Sequence, residues 1–212
     1  MRMVIVYDNV ADKPFKKGWG FSCYFRDTNI LFDTGESGEA LLYNMEHLGI
    51  DVREIKKVVL SHDHFDHAGG LRLLKRINRD MEVFVPSGFS KWKLIGIKNY
   101  TVVLKPMEIE DGYIVSGGLD THGFEQVLLV RTNKGIVIVT GCAHPGIDRI
   151  INFAKGFGKI HGIIGGFHGF SEIELLRDID IVMPCHCTRY KEQILLMKNG
   201  KECKVGEEIT IE

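Results

Sequence analysis

The stretch Ser61-His62-Asp63-His64-Phe65-Asp66-His67-Ala68-Gly69-Gly70 decides how this 212-residue sequence is interpreted. Three histidines and two aspartates stand within positions 62–67. So tight a run fits neither one face of a helix nor one face of a strand, but it fits a loop whose side chains converge from several directions. Imidazole and carboxylate groups are good ligands for zinc and similar divalent metals. The stretch therefore predicts a metal-binding loop, and its density of ligand-type residues argues against a chance polar cluster on the surface.

The elements on either side place this loop in a fold. The apolar run Lys57–Leu60 predicts a buried strand that leads directly into the loop, and apolar residues at 71, 73, 74 and 77 predict a helix over Leu71–Ile77. Ligand sites of α/β proteins often lie just past the carboxyl ends of strands. We therefore expect the loop to project from the end of a buried strand.

The rest of the chain alternates between strand and helix patterns. Further strands are predicted over Met3–Tyr7, Phe21–Arg26, Asn29–Phe32, Glu82–Val85, Gln126–Arg131, Ile136–Thr140, Ile160–Ile164, Ile179–Met183 and Glu208–Glu212. Further helices are predicted over Gly38–Leu48, Ile147–Phe157, Ser171–Arg177, which opens with a capping-box pattern, and Thr188–Lys198. This order predicts an α/β (α+β) fold in which two mixed sheets pack together with helices outside. The irregular stretch Pro86–Thr121 fits either a substrate-facing loop or connecting hairpins.

Length and composition narrow the class of protein. A chain of 212 residues suits one large domain. The formal net charge of -1 supplies no overall attraction to nucleic acid or to anionic lipid, and no apolar run is long enough for a membrane span. The cytoplasm is the simplest location, because the N-terminal apolar run is too short for a secretion signal. Five cysteines, an odd number without such a signal, argue against a disulfide framework.

Several motifs together resemble those of the metallo-β-lactamase superfamily. The loop matches the H-x-H-x-D-H signature, and Asp33 matches the early aspartate that supports this loop from beneath. The motifs Thr140–Gly146, Gly165–His168 and Pro184–Thr188 resemble those of the branch named after dihydropterin–ribofuranosyl-aminobenzene-phosphate synthase. The resemblance implies a single domain over residues 1–212 with the four-layer αββα sandwich of the superfamily.

The resemblance also implies a set of metal ligands. His144 and His186 each follow a predicted strand, as the first loop does, and they would complete the site. One metal is expected among His62, His64 and His144, and another among Asp66, His67 and His186. The expected cofactor is one or two divalent ions, with zinc favoured and manganese or iron as alternatives.

Cys142 is a departure from the superfamily pattern. Many members carry at this strand end an aspartate that bridges two metals, whereas this chain carries cysteine. Cys142 is either a thiolate ligand of the metal or a small buried residue beside the site. If it is not a ligand, the site would bind one ion tightly and a second ion weakly. Cys185 and Cys187 flank His186 and would point away from it in an extended segment, which favours packing over ligation.

The expected chemistry is hydrolysis of an ester-like small molecule, for example a phosphoester, by a metal-activated water. Asp66 would orient or deprotonate this water. His168 would act as a general acid or as a hydrogen-bond donor to a substrate oxygen. The alternative is that His168 is a structural residue that caps its loop. His122 is a candidate for the pocket lining.

A metal-assisted synthase acting on a phosphorylated pterin-type substrate is one alternative to a hydrolase. A di-iron redox enzyme is another, although such superfamily members generally carry glutamate where this chain has His64. Nothing in the sequence specifies the oligomeric state.

Overall fold

Two mixed β-sheets pack face to face in the structure, a computed structural model that describes residues 1–120 and 122–211. The strands are β1 (Arg2–Tyr7), β2 (Ser22–Phe25), β3 (Ile30–Phe32), β4 (Lys57–Val59), β5 (Glu82–Pro86), β6 (Tyr100–Val103), β7 (Met107–Glu110), β8 (Tyr113–Val115), β9 (Leu128–Thr132), β10 (Gly135–Thr140), β11 (Ile160–Gly166), β12 (Ile181–Cys185) and β13 (Glu208–Thr210). The α-helices are α1 (Gly38–His47), α2 (Phe65–Ala68), α3 (Leu71–Ile77), α4 (Ile147–Ala154) and α5 (Lys191–Leu195). Single 3₁₀ turns lie at Val52–Glu54, Lys91–Leu94 and Ile173–Leu176.

Each sheet combines an antiparallel part with a parallel part. The first sheet has the order β13-β1-β2-β3-β4-β5-β6, and its strands are parallel from β3 to β6. The second has the order β12-β11-β10-β9-β8-β7, and β10, β11 and β12 are parallel. Parallel neighbours end on the same side of a sheet. The carboxyl ends of β3 and β4 therefore lie together, and so do those of β10, β11 and β12.

Three apolar cores separate four layers. The inner core lies between the sheets and includes Phe32, Val59 and Val139. A second core packs α1 and α3 on the outer face of the first sheet, and a third packs α4 on the outer face of the second. This arrangement confirms the predicted αββα sandwich. The helices are short, and among residues 1–120 and 122–211 none is long and apolar enough to cross a bilayer.

Two predictions about local structure need correction or completion. The capping box at Ser171 does not form, because the segment makes only a 3₁₀ turn that begins after Glu172 and has no side-chain cap. The stretch Pro86–Thr121 contains β6, which pairs parallel with β5 at the edge of the first sheet, and the antiparallel pair β7–β8 at the edge of the second. The connecting-hairpin interpretation therefore holds for β7–β8, and a substrate-facing role of the remaining loop stays a prediction. Thr121 itself lies outside the described residues, as does Glu212 at the end of the predicted last strand.

The structure contains a disulfide, although the cysteine count argues against a disulfide framework. Cys185 and Cys203 are bonded, with their Cα atoms 5.3 Å apart. The bond ties the end of β12 to the segment that precedes β13. Its two cysteines are 18 positions apart in the sequence, and the strands beside them, β12 and β13, belong to different sheets. Neither the count of cysteines in the chain nor this spacing predicts that the two would pair.

Candidate metal centre

Loops from both sheets meet at the carboxyl ends of the parallel strands. Asp33 directly follows β3, and residues 61–67 follow β4. From the second sheet, residues 141–144 follow β10, His168 follows β11 and His186 follows β12. The predicted ligands, which are spread over 125 positions from His62 to His186, are thereby brought to one place.

The first ligand group contains Asp66, His67, Cys142 and His186. One ligand atom from each residue lies within 4.8 Å of all the others, and all four residues are buried. His67 Nε2 lies 3.1 Å from Cys142 Sγ, and His186 Nε2 lies 3.1 Å from Asp66 Oδ2. Neighbouring ligand atoms of one tetrahedral zinc ion, at bond lengths of about 2.0–2.3 Å, are roughly 3.3–3.6 Å apart, so both separations lie within about half an ångström of that spacing.

The second ligand group contains His62, Cys142 and His144, whose ligand atoms also lie within 4.8 Å of one another. His64 belongs to this side of the centre, because its Nδ1 lies 3.0 Å from Nε2 of His62. His62 is fully buried, whereas His64 is exposed and a quarter of the His144 side chain is accessible. Cys142 is common to both groups. The structure thus brings together all seven residues predicted as ligands, although their coordination of metal stays a prediction.

The far side of each buried imidazole is anchored by the protein. Four histidines direct Nε2 towards the centre while Nδ1 meets a polar partner: His62 with Ser61 Oγ at 2.9 Å, His67 with Asp33 Oδ2 at 2.7 Å, His144 with Glu125 Oε2 at 2.6 Å and His186 with Asn9 Oδ1 at 2.9 Å. Metal-ligating histidines are usually held in this way, with the second ring nitrogen donating to an oxygen atom. The residues present therefore fit divalent metal ions.

Asp33 lies beneath the metal loop, where the sequence places it. Its backbone adopts a left-handed conformation with φ of 55°, and its carboxylate accepts hydrogen bonds from Ser61 N, Ser61 Oγ and His67 Nδ1, each at 2.7 Å. Burial by itself lowers the pKa of His67, but the carboxylate of Asp33 reverses this effect and raises it. Asp33 therefore fixes both ends of the loop and orients one ligand.

Glu125 is a functional residue that the sequence analysis missed. It is fully buried, and Oε1 accepts the backbone N–H groups of Cys142 and Ala143 at 2.8 Å each. Oε2 accepts the backbone N–H of His144 at 2.8 Å and its Nδ1 at 2.6 Å. Burial raises the pKa of Glu125, but these bonds outweigh burial and lower it, so the carboxylate is ionised. No motif marks this residue, because its partners follow it by 17 to 19 positions.

Asp8 and Asn9, also missed, hold the turn at His186. Asp8 Oδ1 accepts the backbone N–H of His186 at 2.9 Å, and Asn9 Nδ2 donates to its carbonyl oxygen at 3.1 Å. The N–H of Gly20 lies 3.1 Å from Nδ1 of His186 and 3.2 Å from Oδ1 of Asn9. Ligation through Nε2 requires the proton on Nδ1, so Asn9 is then the acceptor for the imidazole as well as for Gly20.

The orientation expected for Cys187 is wrong. His186 has φ of 46°, so the segment is not extended there and the alternation of side chains fails. Cys187 consequently turns towards the centre, where its Sγ lies 3.4 Å from Sγ of Cys142. Cys185 does point away, into the inner core and the disulfide with Cys203.

Exposed side chains surround the centre. His168, which also has a positive φ of 45°, is exposed, and its ring centroid lies 5.1 Å from that of His144. Phe124 contacts the rings of His62, His64 and His144, and Trp19 meets His186 edge-on at 4.7 Å. His122 is exposed, and its backbone N–H donates a hydrogen bond to Oδ1 of Asp120. Its place in the lining of a substrate pocket stays a prediction.

Comparison with known proteins identifies the family. The sequence profile of the metallo-beta-lactamase superfamily matches residues 23–135, more than half of the chain. The chain belongs to the metallo-β-lactamase superfamily. Superfamily members generally bind divalent metals, which agrees with the two ligand groups.

Individual proteins match most or all of the chain. A 7,8-dihydropterin-6-methyl-4-(β-D-ribofuranosyl)-aminobenzene-5′-phosphate synthase of Methanocaldococcus jannaschii is 30% identical over 82% of this chain and 80% of its own length. A crystal structure described as a metal-dependent hydrolase of the β-lactamase superfamily is 28% identical, with a TM-score of 0.84 over 100% of this chain and 99% of the other. A metallo-β-lactamase fold protein of Bacillus subtilis, 12% identical with a TM-score of 0.70 over 99% of both chains, shares the fold.

Proposed function

We propose that this chain is a metal-dependent hydrolase that acts on an ester-like small molecule. The observation that carries the proposal is the pair of ligand groups joined at Cys142, in which the buried imidazoles are anchored and the His64–His144 side is open to solvent. A divalent ion in such a centre acidifies water and polarises a substrate oxygen. The solvent-facing side is where a small substrate would reach the centre.

The side chains around the centre have distinct tasks in this proposal. Burial raises the pKa of Asp66, but the hydrogen bond from His186 and the charge of His67 outweigh it and lower the pKa to about 2. Asp66 is therefore a carboxylate throughout the neutral range, and it would orient water by accepting a hydrogen bond, because a pKa this low makes it a weak base. His168 stands exposed beside His144 and is placed to donate a hydrogen bond to a substrate oxygen.

Zinc is the metal proposed for the centre. A ligand set of imidazoles, one carboxylate and one shared thiol suits zinc better than it suits magnesium or calcium, which prefer oxygen ligands. Manganese and iron suit the imidazole and carboxylate ligands, and they remain the alternatives for the side that contains Asp66.

A synthase is the second candidate function. The observation that favours it is the 30% identity with the synthase of M. jannaschii over about four fifths of both chains. In that case the same centre would assist a condensation with a phosphorylated pterin-type substrate. The two candidates differ in their products, since hydrolysis consumes water and splits one substrate, whereas condensation joins two.

The experiment is a turnover screen of protein loaded separately with zinc, manganese or iron. Phosphodiesters, phosphomonoesters, lactones and thioesters are offered, and a phosphorylated pterin-type substrate is tested for condensation. His168→Ala is expected to lower kcat by about 10²-fold or more while the metal content stays unchanged. His47→Ala, which removes an exposed histidine of α1, is the matched control. Condensation without any ester hydrolysis would replace the hydrolase proposal by the synthase.

A further inference from the structure

Cys142 and Cys187 form a close pair of sulfur atoms at the metal centre. Their Sγ atoms are 3.4 Å apart, and both residues are free cysteines. Cys142 is only 4% exposed, whereas Cys187 is partly open to solvent. A disulfide needs an S–S distance of about 2.05 Å, so the two sulfurs would have to approach by roughly 1.4 Å.

The backbone between the two cysteines allows this approach. A Cβ atom on Gly166 would lie 2.8 Å from Sγ of Cys187 and 3.3 Å from Cα of Cys142. Gly166 is thus the position at which the strand end of β11 leaves space for the two side chains. The left-handed turn at His186 brings Cys187 into that space from the other side. Two independent backbone features therefore leave room for the two sulfurs to lie side by side.

We propose that Cys142 and Cys187 are a site of reversible oxidation, at which a disulfide switches off metal binding. Cys142 is the one residue that the two ligand groups share. A bond from its sulfur to Cys187 removes the thiolate from both groups at once, leaving Asp66, His67 and His186 in the first group and His62 and His144, with the neighbouring His64, in the second. The consequence for metal rests on the proposed metal centre, whereas formation of the disulfide does not.

The oxidant in this step is a hydroperoxide. Each cysteine loses one electron and its thiol proton, one S–S bond forms, and the O–O bond of the hydroperoxide breaks to give one alcohol and one water. A dithiol reverses the step by exchange and is itself oxidised to a disulfide. Cys187, the more exposed of the two, attacks the hydroperoxide and forms a sulfenic acid, from which the sulfur of Cys142 displaces water. A metal ion bound to Cys142 would slow this second step, because it would hold the sulfur that must attack.

The experiment begins with metal-free protein that is treated with one equivalent of tert-butyl hydroperoxide and digested without reduction. Peptide mass mapping is expected to find a Cys142–Cys187 link, and zinc affinity by chelator competition is expected to fall at least tenfold and to recover with dithiothreitol. Cys187→Ser should give no link and should keep its zinc affinity after the same treatment. Cys23→Ala, which removes a buried cysteine of the inner core, is the matched control and should behave as the wild type.

Two results would overturn the inference. One is an oxidised protein in which Cys142 and Cys187 carry separate oxidation products or remain thiols. The other is a Cys187→Ser protein that loses zinc affinity on oxidation as strongly as the wild type does. A wild-type protein that forms the link but binds no zinc before oxidation contradicts the metal centre instead, so the two failures are distinguishable.

Discussion

Replacing Glu125 by glutamine tests the part of the centre that the sequence did not reveal. The substitution keeps the shape of the side chain but exchanges one carboxylate oxygen for an amide NH₂ group. Each oxygen accepts two hydrogen bonds, Oε1 from Cys142 and Ala143 and Oε2 from the backbone and ring of His144. In either orientation of the amide, two N–H donors face the NH₂ group instead of an acceptor.

The expected magnitude follows from these contacts. Two hydrogen bonds to a buried charged group contribute about 1.5–3 kcal/mol each, so Glu125→Gln should lower the free energy of unfolding by about 3–6 kcal/mol. For a chain of this length, at about 2–4 °C per kcal/mol, such a loss lowers Tm by about 6–24 °C. When the NH₂ group faces His144, the ring of His144 also loses its acceptor, and when it faces Cys142 and Ala143, a neutral amide oxygen replaces the carboxylate beside that ring. The loss of such partners typically lowers metal affinity by about 10–100-fold.

The assays are thermal unfolding of the metal-free protein and zinc affinity by chelator competition. The matched control is Asp180→Asn, which breaks a similar contact between a carboxylate and His161 Nδ1 at 2.7 Å, away from the centre and with the Asp180 side chain 53% exposed. An exposed pair of this kind contributes little to the free energy of unfolding, and zinc affinity should stay at the wild-type value. A folded Glu125→Gln protein with wild-type zinc affinity would refute the role assigned to Glu125.

Three further predictions concern the centre and its frame. Asp33→Asn removes the carboxylate that holds His67, and competition titration should show zinc affinity lowered by about 10–100-fold, whereas unchanged affinity would count against the anchoring argument. Gly165→Ala places a Cβ 2.0 Å from the carbonyl oxygen of Thr140. Chemical denaturation should therefore show the free energy of unfolding lowered by about 1–3 kcal/mol. A wild-type free energy of unfolding would show that β11 can shift to accommodate the methyl group. Burial lowers the pKa values of His67 and His144, but their carboxylate partners outweigh burial and raise both pKa values. Protons therefore compete with metal already above the ordinary histidine pKa of about 6.5, and zinc affinity measured from pH 8 to pH 6 should fall steadily, whereas a pH-independent affinity would exclude histidine ligation.

The elements that the sequence predicted well are those with strong local patterns. The helix Leu71–Ile77 has the predicted bounds, and most strands agree to within one or two residues because β-branched and apolar residues fill them. The loop His62–His67 is recognisable because its ligands are adjacent in the chain. His144 and His186 could be added because each follows a strand, and parallel strands end together.

The features that the sequence did not predict depend on contacts between distant segments. Glu125 and Asn9 act on ligands that lie 19 and 177 positions away, and no local spacing links them. The position of Cys187 was misjudged because the left-handed backbone at His186 reverses the expected direction of the side chain. The capping-box pattern at Ser171 failed because the segment after it forms only one 3₁₀ turn.

The central claim is that the convergent residues hold divalent metal. The most direct measurement is elemental analysis of protein that has been loaded with zinc and dialysed, compared between the wild type and His67→Ala. At least one zinc per wild-type chain is expected. The His67→Ala protein should keep the circular dichroism of the folded wild type and lose the zinc that the first ligand group holds. A folded His67→Ala protein that retains the wild-type amount of zinc would contradict the claim.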